Sequence, residues 1–224
     1  GGLGDDALAA RLADSDQSLC IVNSRKQARR LHELLDGEGS YHLTTLMHPV
    51  HRERVLNEIR QRLREGRTCR VVATSLIEAC VDVDFPVVYR ALAGVDSMVQ
   101  AAGRCNREGR QSAEESIVHV FEPADDYALP SDVAQKVAIA RSVISEMEGA
   151  ACESCDIGAL EAIDAYFARL YAVREGALDA SGVLRDLEGF SLKSLNIPFK
   201  RAADDFRMIE EGSRTVVIPD PEIE

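Results

Sequence analysis

Short apolar runs, separated by longer amphipathic stretches, constrain the first half of this chain more than any other feature. Residues 18–22 (Ser-Leu-Cys-Ile-Val) contain no polar alternation, which predicts a strand buried on both faces. The stretch 26–35 places Ala28, Leu31, Leu34 and Leu35 on one helical side, and Gly37 and Gly39 then break the chain. A second strand is predicted over 41–47. A second helix follows over 49–64, with Val55, Ile59 and Leu63 inward. Residues 70–73, 86–89 and 117–121 are further strand candidates, and 97–105 a further helix. Continuous apolar strands alternating with helices predict an α/β domain, its parallel sheet covered on both faces. Active residues are then expected on loops at the carboxyl ends of the strands.

The pattern changes after Pro123. Residues 131–148 and 157–173 carry helical periodicity with no strand between them, and 215–218 (Thr-Val-Val-Ile) is a late strand candidate. The expected division is a domain over 1–124 and a mainly helical extension over 125–224. Charge divides at the same place. Residues 1–124 carry 16 Lys/Arg and 18 Asp/Glu, whereas 125–224 carry 10 and 20, which together give the net charge of −12. Any surface that grips a phosphodiester backbone is therefore expected in the first half.

The 224 residues hold no apolar run long enough to span a bilayer, and the start lacks the order of a signal peptide. The expected compartment is the cytoplasm, and the expected state of the six cysteines is reduced. Cys152 and Cys155 form a C-x-x-C with no second ligand pair, so no metal site is expected.

Three segments carry chemistry. Gln100, Gly103, Arg104 and Arg107 form a Q-x-x-G-R-x-x-R pattern. On a helix this would put two guanidiniums on one face, with Gln100 one turn earlier. Two fixed forks suit a transferring phosphoryl group, whose transition state spreads charge over its oxygens. Thr74 and Ser75 follow the third strand, where hydroxyls and N–H groups could meet a phosphate or cap a helix, with Glu78 closing a capping box. Asn23, Ser24 and Arg25 leave the first strand and could do either as well.

In this order, the three segments resemble motifs IV, V and VI of superfamily 2 helicases. The stretches N-S-R-K-Q-A, A-T-S-L-I-E-A-C-V-D-V-D-F-P and Q-A-A-G-R-C-N-R-E-G are most similar to the CRISPR-associated helicase–nuclease of type I systems. Residues 43–52 resemble a stretch between the first two motifs. The resemblance is close over about 18–122 and implies the second RecA-like domain of a motor.

It implies Arg107 as the arginine finger and Arg104 as a second contact to the terminal phosphates. Gln100 and Gly103 would hold the same nucleotide, and Asp82 would meet the ATP ribose or couple the nucleotide to DNA. Asn23, Ser24, Arg25, Thr74 and Ser75 would grip single-stranded DNA, with Thr45, His51 and Arg52 along the same track. Cys80 departs from the glycine usual in the family.

No Gly-Lys, Asp-Glu or His-Asp dipeptide occurs, so the P-loop, the acidic magnesium motif and the nuclease pair are expected on other domains. ATP and Mg2+ would be held mainly by a first RecA-like domain, and this chain alone would be inactive. The implied partners are that domain, the nuclease domain, single-stranded DNA and a CRISPR RNA-guided surveillance complex. Two alternatives stay open: a non-catalytic docking module that uses the acidic half, and half of an RNA helicase.

Overall fold

The computed structural model describes residues 2–78, 81–109, 112, 116–149, 156–188 and 199–206. Cys80, Cys152, Cys155 and the strand candidate at 215–218 lie outside the described residues. The chain divides into two compact units, Gly1–Leu170 and Tyr171–Glu224.

The first unit is built on five parallel strands: β1 (Gln17–Ile21), β2 (Ser40–Leu43), β3 (Cys69–Ala73), β4 (Val87–Ala91) and β5 (Ile117–Phe121). Their order across the sheet is β2-β3-β1-β4-β5. Around the strands lie α1 (Asp5–Ala13), α2 (Arg25–Leu34), α3 (Pro49–Arg64) and α4 (Val95–Ala102). A short 3-10 turn, Ser75–Glu78, follows β3.

Burial on both faces explains the uninterrupted apolar strands. Leu19, Ile21, Val71 and Ala73 pack on one side with Ile59 of α3 and Ala101 of α4. Cys20, Val22, Val72 and Tyr89 pack on the other with Leu8 and Leu12 of α1 and Ala28 and Leu31 of α2. Neighbouring positions on each strand thus face opposite cores, as the two-residue period of a strand requires.

Two elements end earlier than their sequence suggests. Strand β2 stops at Leu43 because the Met47 N–H donates to the Thr44 carbonyl, closing a turn that leads to Pro49 at the start of α3. Helix α4 spans Val95–Ala102, not 97–105, and Gly103 is its C-cap. Asn106 then takes a left-handed conformation at φ 48, which asparagine tolerates better than most residues. Arg104 and Arg107 therefore leave the helix and share no helical face.

Helices α5 (Ser131–Gly149) and α6 (Leu160–Arg174) follow β5. Within the first unit, Val137, Ala140 and Val143 of α5 and Ala162, Tyr166 and Leu170 of α6 enclose Leu92, Val95 and Met98. Asp96 of α4 ties the three helices together. Its carboxylate accepts from Tyr166 Oη at 3.1 Å and pairs with Lys136 Nζ at 3.2 Å. This junction is tight, since a Cβ at Gly94 would lie 2.4 Å from Tyr166 Oη and 2.2 Å from Asp96 Oδ1. Gly94→Ala is therefore expected to lower stability by about 1–3 kcal/mol, the cost of forced overpacking. An unchanged thermal midpoint would show that the junction yields freely.

The second unit contains a 3-10 turn at Glu175–Ala177, α7 (Val183–Glu188) and α8 (Phe199–Asp205). No described helix is long and apolar enough to cross a membrane.

Candidate functional site

Two groups of side chains stand out, and the fold keeps them apart. The first lies along the carboxyl ends of β2, β3 and β1, which are adjacent in the sheet. Leu43 is level with Ala73, and Ala73 with Ile21, so the residues that follow emerge side by side. Ser75 is exposed next to β3, Thr45 is exposed between β2 and α3, His51 is exposed in the first turn of α3, and Arg25 is exposed at the start of α2. Asn23, Ser24 and Arg52 are half-buried, and Thr74 is buried, its N–H donating to the Leu43 carbonyl at 3.2 Å. The edge thus collects all eight residues singled out as a phosphate-gripping set.

The second group centres on Arg107. Alternation shapes the segment before β4: Val81, Val83 and Phe85 enter the core, and Asp82 and Asp84 point outward. Phe85 forms an isolated parallel bridge to Cys105. Its N–H donates to the Arg104 carbonyl at 2.9 Å, and the Asn106 N–H donates to its carbonyl at 3.1 Å. That bridge sets the two loops against each other. Asp84 then accepts the Arg107 N–H at 2.7 Å, and the Arg107 guanidinium pairs with Asp82 at 2.9 Å. The arginine's backbone is fixed while its side chain stays 45% exposed, opposite an Asp82 side chain that is 76% exposed.

Asp82 and Asp84 line a cavity of about 300 Å³ with Gln17, Arg60, Pro86 and Asn106. Gln17 opens β1 and Pro86 immediately precedes β4, so this pair lies toward the amino ends of those strands. The sequence pattern placed the candidate residues at carboxyl ends; the first group lies there and the second does not. The physical reason is that the chain after the 3-10 turn runs back along the sheet before β4 begins.

Arg104 points inward. Its guanidinium donates to the Val81 carbonyl at 2.6 Å and to the Glu78 carbonyl at 2.7 Å. Arg60 donates to the Asp82 carbonyl at 3.1 Å. Gln100 and Gly103 are exposed. Among the described residues nothing requires glycine at 103, where φ is −65 and a Cβ would come no nearer than 3.4 Å to the Gln100 carbonyl.

The capping box expected of Ser75 and Glu78 does not form. Glu78 is buried, and its Oε1 lies 2.9 Å from Arg90 Nε, close enough for an ion pair although off the line of a hydrogen bond. Burial pushes the Glu78 carboxyl above its ordinary range, opposed by the Arg90 charge. Burial likewise holds the Arg90 guanidinium below its ordinary value, opposed by Glu78. Arg90 also donates to Asn23 Oδ1 at 2.8 Å and to the Ala91 carbonyl at 2.9 Å. Asn23 Nδ2 donates in turn to the Leu92 carbonyl at 2.8 Å. Sequence reasoning missed Arg90, Asp84 and Arg60. One signal for Arg90 was available: a lone charge inside the apolar run Val-Val-Tyr-Arg-Ala-Leu-Ala.

A family profile described as the C-terminal part of the CRISPR-associated nuclease/helicase Cas3 matches residues 14–110. A CRISPR-associated nuclease/helicase Cas3 of Methanothermobacter thermautotrophicus is 30% identical over 111 residues, 48% of this chain and 13% of that protein. Another, from Haloferax volcanii, is 39% identical over 59 residues, 25% of this chain and 6% of that protein. The chain thus covers a small part of the length of each relative. Among solved structures, T. fusca Cas3-ATP superposes with a TM-score of 0.57 at 17% identity, over 81% of this chain and 23% of that one. T. fusca Cas3-ADP gives the same TM-score at 19% identity, over 81% of this chain and 24% of that one. The structural likeness carries the RecA-like α/β fold. Residues 14–110 are thus similar in sequence to the C-terminal part of the Cas3 nuclease/helicases.

Proposed function

We propose that this chain is the second motor domain of an ATP-dependent single-stranded DNA translocase acting in CRISPR interference. One observation carries this reading: Arg107 is held rigidly by its backbone on Asp84 while its guanidinium remains exposed. A purely structural arginine gains nothing from such a mount. An arginine finger needs both properties, because it must meet a phosphate bound to another domain in a fixed geometry.

ATP and Mg2+ would be held mainly by the first RecA-like domain. On closure, Arg107 exchanges Asp82 for the γ-phosphoryl oxygens, and Asp82 is freed toward the ribose or the domain boundary. Gln100 and Gly103 face the same nucleotide, and a glycine that no described residue requires allows close approach at that point. Arg104 holds the Glu78 and Val81 carbonyls and is assigned to that support rather than to the phosphates. The carboxyl edge forms the DNA grip: Ser75, Asn23, Ser24 and Arg25 at its centre, and Thr45, His51 and Arg52 at its β2 end. Thr74 supports that edge from beneath. The nuclease domain and a CRISPR RNA-guided surveillance complex are the further partners in this reading.

The test is reconstitution. This chain alone is expected to hydrolyse no ATP. Joined to a P-loop-bearing first domain, it should give hydrolysis that rises with single-stranded DNA. Hydrolysis by the chain alone would refute the division of labour, and stimulation by RNA alone would change the substrate.

A further inference from the structure

We propose that Arg90 is a positioning residue for the gripping edge, fixing the β1 exit loop and the β3 turn at one spacing. The proposal rests on the reading of that edge as the DNA grip.

Arg90 lies near the end of β4, level with Ile21 of β1. Its side chain is 2% exposed. One terminal nitrogen holds the Asn23 side chain, and Nε faces the Glu78 carboxylate. A single planar group therefore spans the two segments that carry Asn23 and Ser75. It also reaches the second group of residues, because the Glu78 carbonyl accepts from Arg104, which also donates to the Val81 carbonyl beside Asp82. The polar path runs Asn23, Arg90, Glu78, Arg104.

Stability alone does not account for such a group. A buried ion pair loses much of its attraction to desolvation, and well-packed apolar residues of similar size commonly replace one at no cost. What apolar residues cannot supply is directional attachment of two loops to one strand. A guanidinium fork does so because its nitrogens are fixed in one plane, whereas an ammonium is a single point of charge.

Two variants of the assembled helicase test this. In Glu78→Met/Arg90→Met both charges are removed together, so the fold keeps an apolar core while Asn23 loses its bond to Arg90 and keeps the one to Leu92. In Arg90→Lys the charge pair survives, but the planar fork that holds the Asn23 and Glu78 contacts on two separate nitrogens is lost. Three quantities are measured: the thermal midpoint, ATP turnover at saturating single-stranded DNA, and the DNA concentration that gives half-maximal stimulation. Both variants are expected to need about tenfold more DNA, the scale of one lost charge-assisted hydrogen bond, with a smaller change in saturated turnover. A wild-type DNA requirement in either folded variant overturns the proposal and leaves the pair with a packing role. If the double variant does not fold, Arg90→Lys decides alone. Failure of the underlying reading looks different, since the wild-type enzyme itself would then show no response to DNA.

Discussion

Replacing Arg107 by alanine in the assembled helicase is expected to lower DNA-stimulated ATP turnover by roughly 10³-fold, the scale on which arginine fingers act. The thermal midpoint should barely move. The guanidinium is 45% exposed and its partner Asp82 is 76% exposed, so the ion pair contributes at most about 1 kcal/mol. The backbone bond from residue 107 to Asp84 does not depend on the side chain and survives the substitution. Arg107→Lys should recover little, because an ammonium cannot present two parallel donors to a phosphoryl group. Turnover and midpoint measured on both variants separate the roles. Near-normal turnover in the alanine variant would leave Arg107 as a loop-surface cation, and the docking-module alternative would then lead.

The second large effect is on stability. Tyr166→Ala is expected to cost about 3–5 kcal/mol, as for other fully buried aromatic side chains. Tyr166 is 0% exposed and packs in the cluster formed by α4, α5 and α6, with its hydroxyl on Asp96. Truncation removes the ring and one partner of a carboxylate that also holds Lys136. Tyr166→Phe isolates the hydroxyl and should cost about 1 kcal/mol. Urea denaturation of this chain measures both. A loss below 1 kcal/mol for the alanine variant would mean that α6 contributes little cover to the core around Met98. The effect also bears on the acidic half of the sequence. Whatever residues beyond Pro123 add to DNA affinity, those of α5 and α6 up to Leu170 belong to the compact unit that carries the candidate site.

The reach of the sequence can be judged residue by residue. Leu19 to Val22 read as a doubly buried strand and is one, because continuous apolar runs leave a short segment few other places to go. The inward residues of α2 and α3 were legible for the same kind of reason: Ala28, Leu31 and Ile59 recur with helical spacing and are buried. The alternation Val81-Asp82-Val83-Asp84-Phe85 carried the outward direction of both aspartates in its period. Helix α1 was not legible. Its residues Asp-Asp-Ala-Leu-Ala-Ala-Arg-Leu-Ala give a weak amphipathic pattern, and Asp5 is itself buried, accepting from Gln27 and Tyr127. Only contacts distant in sequence make that burial tolerable.

Sequence by itself determined the parallel α/β architecture and the order of the helicase-like motifs, because both are written in local patterns of polarity and residue type. Tertiary structure alone decided where those side chains point. The bridge from Phe85 to Cys105 pulls the Arg107 loop off the end of α4, which no local propensity announces. Arg104 turns inward because the Glu78 and Val81 carbonyls, more than 20 residues earlier, lie within its reach. Arg90 meets Asn23 and Glu78 only because parallel pairing sets β4 beside β1 in one register. A guanidinium's direction is fixed by its acceptors, and acceptors so far along the chain are assembled only when the sheet forms.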